Sequence, residues 1–299
     1  MRPKRLPLIL ILIALAAAAA YGVLALPARP APAHAFFSGE KPGTQVIAHR
    51  GGSHLRPENT LAAFAHAVEL GADVLDMDVR RTADDAIVCL HDANVERTTD
   101  GSGRVESFRL EELQRLDAGY RWSADGGQSF PFRGRGIRVP ALGEVLARFP
   151  GARMLIEMKD GDPAFAQSLC ALIRGSGMAE KALVASFHAD SLAAFRADCP
   201  EVATSMSGSE ARIFVGLSRV GLAAAYGPAV PALQVPDRLG DTVIATESLA
   251  QDARRHGLKL HVWTVNDENR MRQLVQIGVE GILTDRPDVL LRLLGRARR

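Results

Sequence analysis

From residue 45 onward, short apolar runs bounded by turn residues alternate with longer helical runs. That alternation is the signature of strands and crossover helices in an α/β protein. Strands are predicted at Val46–His49, Asp73–Val79, Ile87–Leu90, Met154–Met158, Leu183–Phe187, Val202–Ser205, Ala232–Val235, Leu260–Val265 and Gly281–Leu283. Helices are predicted between most of them. They include Thr60–Leu70, capped by Asn59 or Thr60 and ended by Gly71, then Ala164–Ile173 and Glu268–Ile277. Too few residues separate the second and third strands for a crossover helix. Residues 92–140 then form a long excursion rich in Gly, Arg and aromatics. No glycine-rich dinucleotide turn opens the series, so a (β/α)8 TIM-type barrel is favoured over a doubly wound sheet. Nine candidates compete for eight positions, so one of them lies outside the ring or is not a strand. The barrel domain is expected over residues 45–295, with the insertion at about 92–140.

The first 44 residues follow a different pattern. Three positive charges precede residues 8–26 (LILILIALAAAAAYGVLAL), an uncharged apolar run of 19 residues. A membrane-spanning helix needs roughly 20. Residues 1–26 are read as an N-terminal anchor helix or signal segment, and 27–44, with Pro27, Pro30 and Pro32, as a proline-rich linker. The run is long for a cleaved signal, although Ala33-His34-Ala35 offers a small-x-small cleavage pattern. The positive flank should stay in the cytoplasm and the body outside it, periplasmic or extracellular, or secreted if the signal is cleaved.

Composition narrows the partners. Lys and Arg total 36 against 34 acids in 299 residues, and residues 1–35 hold Arg2, Lys4, Arg5 and Arg29 with no acid. The body is therefore slightly acidic, which argues against nucleic-acid binding. The three cysteines, Cys89, Cys170 and Cys199, lack metal-site spacing and read as scattered core thiols, with a pairing of two as the alternative in an oxidising compartment.

In barrels of this kind the reactive residues stand at the C-terminal ends of strands. Those ends carry His49-Arg50, Asp76-x-Asp78, His91-Asp92, Glu157-x-Lys159, Ser186-Phe187-His188, Trp263-Thr264 and Asp285. Side chains at i and i+2 of a strand share a face, so Asp76 and Asp78 can address one ion, which Glu157 could complete. Oxygen ligands suit Mg²⁺ or Ca²⁺ rather than zinc. His49 and His91 can serve as acid and base. Arg50 and Lys159 suit a phosphate. Together these groups describe metal-assisted phosphoester cleavage. Glu58 is either a site acid or a partner of the helix dipole, and Trp263, on one strand face with His261, is either a substrate wall or core. His188 and Asp285 read as structural, and His256 as a surface or helix-end residue. The stretch Tyr120–Arg138 is either a lid, a lipid head-group contact or a plain capping insertion.

The segment VIAHRGGSHLRPENTLAAFAHAVELGADVLDMDVRRTADDAIVCLHD, with the later IEMK, HVWTVND and GILTDRP, resembles the glycerophosphodiester phosphodiesterase family over about residues 45–290. The resemblance implies a barrel that cleaves glycerophosphodiesters to an alcohol and glycerol 3-phosphate with a divalent cation. By position it implies that His49 and His91 are the catalytic pair. It makes Asp76, Asp78 and Glu157 the metal carboxylates, Arg50 and Lys159 the phosphate contacts, and Glu58 another site acid. The family more commonly carries Glu where this chain has Asp76, a departure that bears on metal preference. Two competing functions use the same site: lysophospholipid cleavage of the phospholipase D kind, motivated by an anchor near the bilayer, and a non-catalytic phosphate-ligand receptor. A serine hydrolase is poorly supported, since no Gly-x-Ser-x-Gly elbow occurs.

Overall fold

Parallel strands close almost completely into a barrel in the computed structural model, which describes residues 10–12, 14–19, 22 and 30–297. The strands are β1 (Gln45–Ala48), β2 (Val74–Arg81), β3 (Ile87–Cys89), β4 (Arg153–Met158), β5 (Ala182–Ser186), β6 (Ala203–Thr204), β7 (Ala232–Pro236), β8 (Arg238–Leu239), β9 (Thr242–Val243), β10 (Lys259–Trp263) and β11 (Gly281–Thr284). The ring runs β6-β5-β4-β2-β1-β11-β10-β7, and a parallel bridge from Ser205 to Ala232 links its two ends. Neighbours in the ring are neighbours in sequence, as short right-handed crossovers require. The surplus candidate is β3. It pairs antiparallel with β2, Val79 opposite Cys89, and lies off the ring because only a tight turn separates the two strands. β8 and β9 form a small hairpin beyond β7.

Helices cover the ring because their apolar residues fall on one side. In Leu61–Leu70, Ala63, Phe64 and Ala67 are buried, the Thr60 side chain accepts from Ala63 N, and Gly71 ends the helix at φ 93°. Removing that cap costs about 1 kcal/mol. Leu75, Met77 and Val79 pack outward against this layer, whereas Val74 and Leu155 point into the barrel. Alternation along β2 and β4 therefore turns Asp76, Asp78 and Glu157 inward as well.

The expected linker is shorter than 27–44. Residues 35–37 form a 3-10 turn whose Phe36 is buried in the barrel interior with Ile47, Leu155 and Leu283. Glu40 binds Arg153 and Lys259, the first residues of β4 and β10. This segment therefore closes the end of the barrel where strands begin, and burying Phe36 contributes about 1.5–3 kcal/mol. Among the described residues no helix is long and apolar enough to cross a membrane, and nine of the nineteen positions of the expected anchor, 8, 9, 13, 20, 21 and 23–26, lie outside the described residues.

One further expectation is corrected. Cys170 and Cys199 form a disulfide, Cα atoms 5.8 Å apart, between the helix Pro163–Gly175 and the end of the helix Ala189–Asp198. Only Cys89 is a free, buried thiol. Of the two readings of His256, the helix-end one holds: it caps the helix Glu247–Arg255 and is buried against Phe214.

Candidate active site

After β1 the chain turns sharply over the mouth of the barrel, carrying His49 and Arg50. Arg50 has φ 53°, a left-handed conformation that disfavours a side-chain-bearing residue by about 1–2 kcal/mol. Gly51 follows at φ 82°, and a Cβ there would stand 2.7 Å from that of Ala63, so the turn lies directly on the first helix. The Arg50 amide donates to Asp76 Oδ2 at 3.1 Å, which ties the turn to β2. From the antiparallel β3, Leu90 N donates to Asp78 O at 3.0 Å and returns His91 to the level of Asp78.

His49, Arg50, Asp76, His91, Glu157, Lys159 and Trp263 all line one open cavity at the C-terminal end of the ring. Asp78 lies just behind it. Its carboxylate accepts from Asn59 Nδ2 at 2.9 Å and pairs with Arg50 Nε at 3.2 Å and Lys159 Nζ at 3.0 Å. The Arg50 Nε contact lacks hydrogen-bond geometry, so a buried donor remains unpaired in the cavity wall. Lys159 also donates to Glu157 Oε1 at 2.6 Å. Glu58 accepts from Arg50 at 2.9 Å and twice from Arg97 at 2.7 Å, so it acts as a bracket for the Arg50 guanidinium. Trp263 packs edge-on against Phe187, at 5.9 Å, and the two begin an apolar wall that continues through Met206.

His49 and His91 are each held through Nδ1, and neither Nε2 has a hydrogen-bond partner among the described residues. His49 Nδ1 is 2.6 Å from Asp285 Oδ1, and Asp285 also accepts from Ser53 Oγ and Asn266 Nδ2, each at 2.6 Å. Asp285 is thus an orienting partner of His49, not the merely structural residue expected. Its strand-end position was the available signal. His91 Nδ1 is 2.6 Å from Asp92 Oδ1. Burial works against a charged His49, yet the bond to Asp285 and the charge of Asp76 leave it above its ordinary pKa. Burial lowers His91, with Lys159 and Arg50 acting in the same direction. His188 stays outside this machinery and meets the Lys159 carbonyl at 3.2 Å.

No three His, Cys, Asp or Glu side chains are gathered into a metal cluster among the described residues. Lys159 and Arg50 stand between the carboxylates. The donor set nevertheless fits a hard divalent cation. Burial, with Asp78 and Glu157 adding like charge, pushes Asp76 up to about 7 against the opposing pull of His49, and burial raises Glu157 as well. Asp76 has no Lys or Arg side chain paired to it among the described residues, and an inward carboxyl of that kind is what such an ion satisfies.

The insertion supports the turn. Trp122 Nε1 donates to Ser53 O at 2.8 Å, and Arg133 lies 4.1 Å and 3.9 Å from the ring centroids of Tyr120 and Phe130. The stretch Tyr120–Arg138 therefore braces the loop that holds Asp285. Arg97, Asp92 and Asn59 were not singled out as site residues from sequence; their only signal is proximity to His91 and Glu58.

The glycerophosphoryl diester phosphodiesterase family profile matches residues 49–289. A glycerophosphodiester phosphodiesterase of Caldanaerobacter subterraneus subsp. tengcongensis is 34% identical over 256 residues, covering 84% of this chain and 98% of that one. One from Bacillus subtilis is 30% identical over 82% of this chain and 84% of its own. Among solved structures, a glycerophosphodiester phosphodiesterase from Agrobacterium tumefaciens superposes with TM-score 0.66 at 27% identity, covering 83% of this chain and 99% of that one. An Oleispira antarctica phosphodiesterase in complex with the product sn-glycerol-3-phosphate gives TM-score 0.65 at 25% identity, covering 85% and 97%. The strand-end chemistry, the barrel and these relatives agree: the chain belongs to the glycerophosphoryl diester phosphodiesterase family and is an enzyme, a phosphoric diester hydrolase.

Proposed function

We propose that this chain hydrolyses glycerophosphodiesters to an alcohol and glycerol 3-phosphate, using a divalent cation, Mg²⁺ or Ca²⁺, and His49 with His91 as acid and base. The observation that carries the reading is the convergence of both imidazoles, two inward carboxyls and two cations on one cavity. Arg50 and Lys159 would hold the phosphate, with Glu58 fixing the Arg50 guanidinium. Asp76 and Glu157, with Asp78 behind them, would hold the cation, which supplies Lewis-acid polarisation of a phosphoryl oxygen when bound. The two histidines come from different strands, so one can take a proton on one side of the phosphorus while the other donates to the leaving oxygen. Trp263 would border the alcohol.

A second reading, cleavage of lysophospholipids at the same site, is favoured by the apolar wall of Phe187, Met206 and Trp263. Export is supported by the Cys170–Cys199 disulfide, a bond characteristic of oxidising compartments, and by the charge asymmetry around residues 8–26. The decisive test is turnover of glycerophosphocholine against lysophosphatidylcholine under Mg²⁺, Ca²⁺ and chelator. His49→Ala and His91→Ala should each lower kcat about 10²–10⁴-fold. Full turnover in metal-free protein, or in either variant, contradicts the mechanism.

A further inference from the structure

The two histidines are oriented in unequal ways. Asp285, which holds His49, is itself fixed by Ser53 and Asn266. Asp92, which holds His91, stands on a partly exposed loop after β3. Apart from His91, its carboxylate is bound by one group, Arg97, whose Nε donates to Oδ2. The same guanidinium presents its other two nitrogens to Glu58 in a two-point bond at 2.7 Å each. Planar, two-point pairing fixes direction as well as charge, which a flexible ammonium does not.

Among the described residues the Arg97 side chain bonds only Asp92 and Glu58. It is half exposed and does not line the main cavity. Its loop is closed without it, by Val95 N donating to Gly103 O at 3.1 Å, by a bridge between Asn94 and Arg104, and by Thr99 Oγ1 donating to Val95 O at 2.9 Å. We propose that Arg97 is a positioning residue: it holds Asp92 against the Glu58 bracket so that His91 keeps Nε2 directed at the reacting phosphate. The inference rests on the two-histidine reading above.

A double-mutant cycle in the full chain tests it, with glycerophosphocholine as substrate and thermal midpoints recorded alongside. Arg97→Ala should lower kcat about 10–100-fold with KM within about threefold, since misplacing a catalytic group weakens the transition state more than ground-state binding. Added guanidinium should recover part of that loss in Arg97→Ala and none in His91→Ala. In the His91→Ala background, removing Arg97 should lower kcat by less than about threefold further, because the two act as a unit. Losses that multiply, a loss confined to KM, or a normal kcat in Arg97→Ala would each overturn the role assigned to Arg97. If Arg97→Ala does not fold, Arg97→Lys carries the same cycle, since its ammonium can reach Asp92 or Glu58 but not bracket both. Near-normal kcat in His91→Ala overturns the two-histidine reading itself, so the two failures are distinguishable.

Discussion

Replacing His261 with Gln isolates one acid-labile element of the barrel interior. His261 lies on β10, 2% exposed, with its ring 6.2 Å from that of Phe37 and its Nδ1 lacking any hydrogen-bond partner. Burial pushes its pKa down to about 3 from 6.5, with Arg153 and Lys259 acting in the same direction. Between those two values the unfolded chain binds a proton that the folded chain refuses, so stability rises with pH across the window. The contribution of the neutral ring is complete above pH 6.5 and is lost as pH falls toward 3. At about 1.4 kcal/mol per pH unit, the loss is about 3 kcal/mol by pH 4.5 and at most about 5 kcal/mol at the foot of the window. Glutamine does not titrate, and its poorer packing costs about 1–2 kcal/mol at neutral pH. Urea unfolding followed by circular dichroism at pH 7.5, 6.0 and 4.5 reads the difference directly, other titrating groups being common to both proteins. The wild type should be the more stable at pH 7.5, and the gap should close by about 3 kcal/mol at pH 4.5, leaving His261→Gln level or ahead. A gap constant across the range would refute the reasoning.

Other perturbations address the site and the scaffold. Asp285→Asn should lower kcat about 10²–10⁴-fold with little change in KM, because Asn cannot stabilise a protonated His49; steady-state kinetics on glycerophosphocholine check it. Glu157→Gln should raise the Mg²⁺ or Ca²⁺ concentration giving half-maximal turnover at least about tenfold, since one charged oxygen ligand is neutralised; a metal titration after chelation reads this. Cys170→Ser with Cys199→Ser opens a loop of sequence separation 29 and should lower unfolding free energy by about 3–4 kcal/mol. Reducing the native protein before urea unfolding should reproduce that loss, and unchanged stability in both would count against the disulfide as a staple.

Strand ends were the most legible part of the sequence, because alternation along a strand needs no tertiary knowledge. Asp76, Glu157 and Trp263 face inward as period-2 spacing requires, and His49 and His91 reach the same cavity. What escaped depends on contacts distant in sequence. Asp285 meets His49 across 236 residues, and Cys170 meets Cys199 only once two helices lie side by side. Neither local propensity nor spacing carries that information. The strand outside the ring was legible only through the short connection 82–86, since apolar runs read alike in parallel and antiparallel pairs. Arg97 looked like one more insertion arginine, and only the positions of Asp92 and Glu58 separate it from its neighbours.

The closure around Phe36 sets which end of the barrel lies nearest to residue 30. Ala31 N donates to His256 O at 2.7 Å, His34 reaches Glu201 O at 2.9 Å, and Glu40 grips the starts of β4 and β10. Whatever holds residues 8–26 therefore holds the barrel by its sealed end. If the run is embedded in a bilayer, the cavity opens toward water, away from the lipid that carries it. The enzyme would then sample glycerophosphodiesters already free in solution, and a lysolipid in the same leaflet would have to leave it before being cleaved.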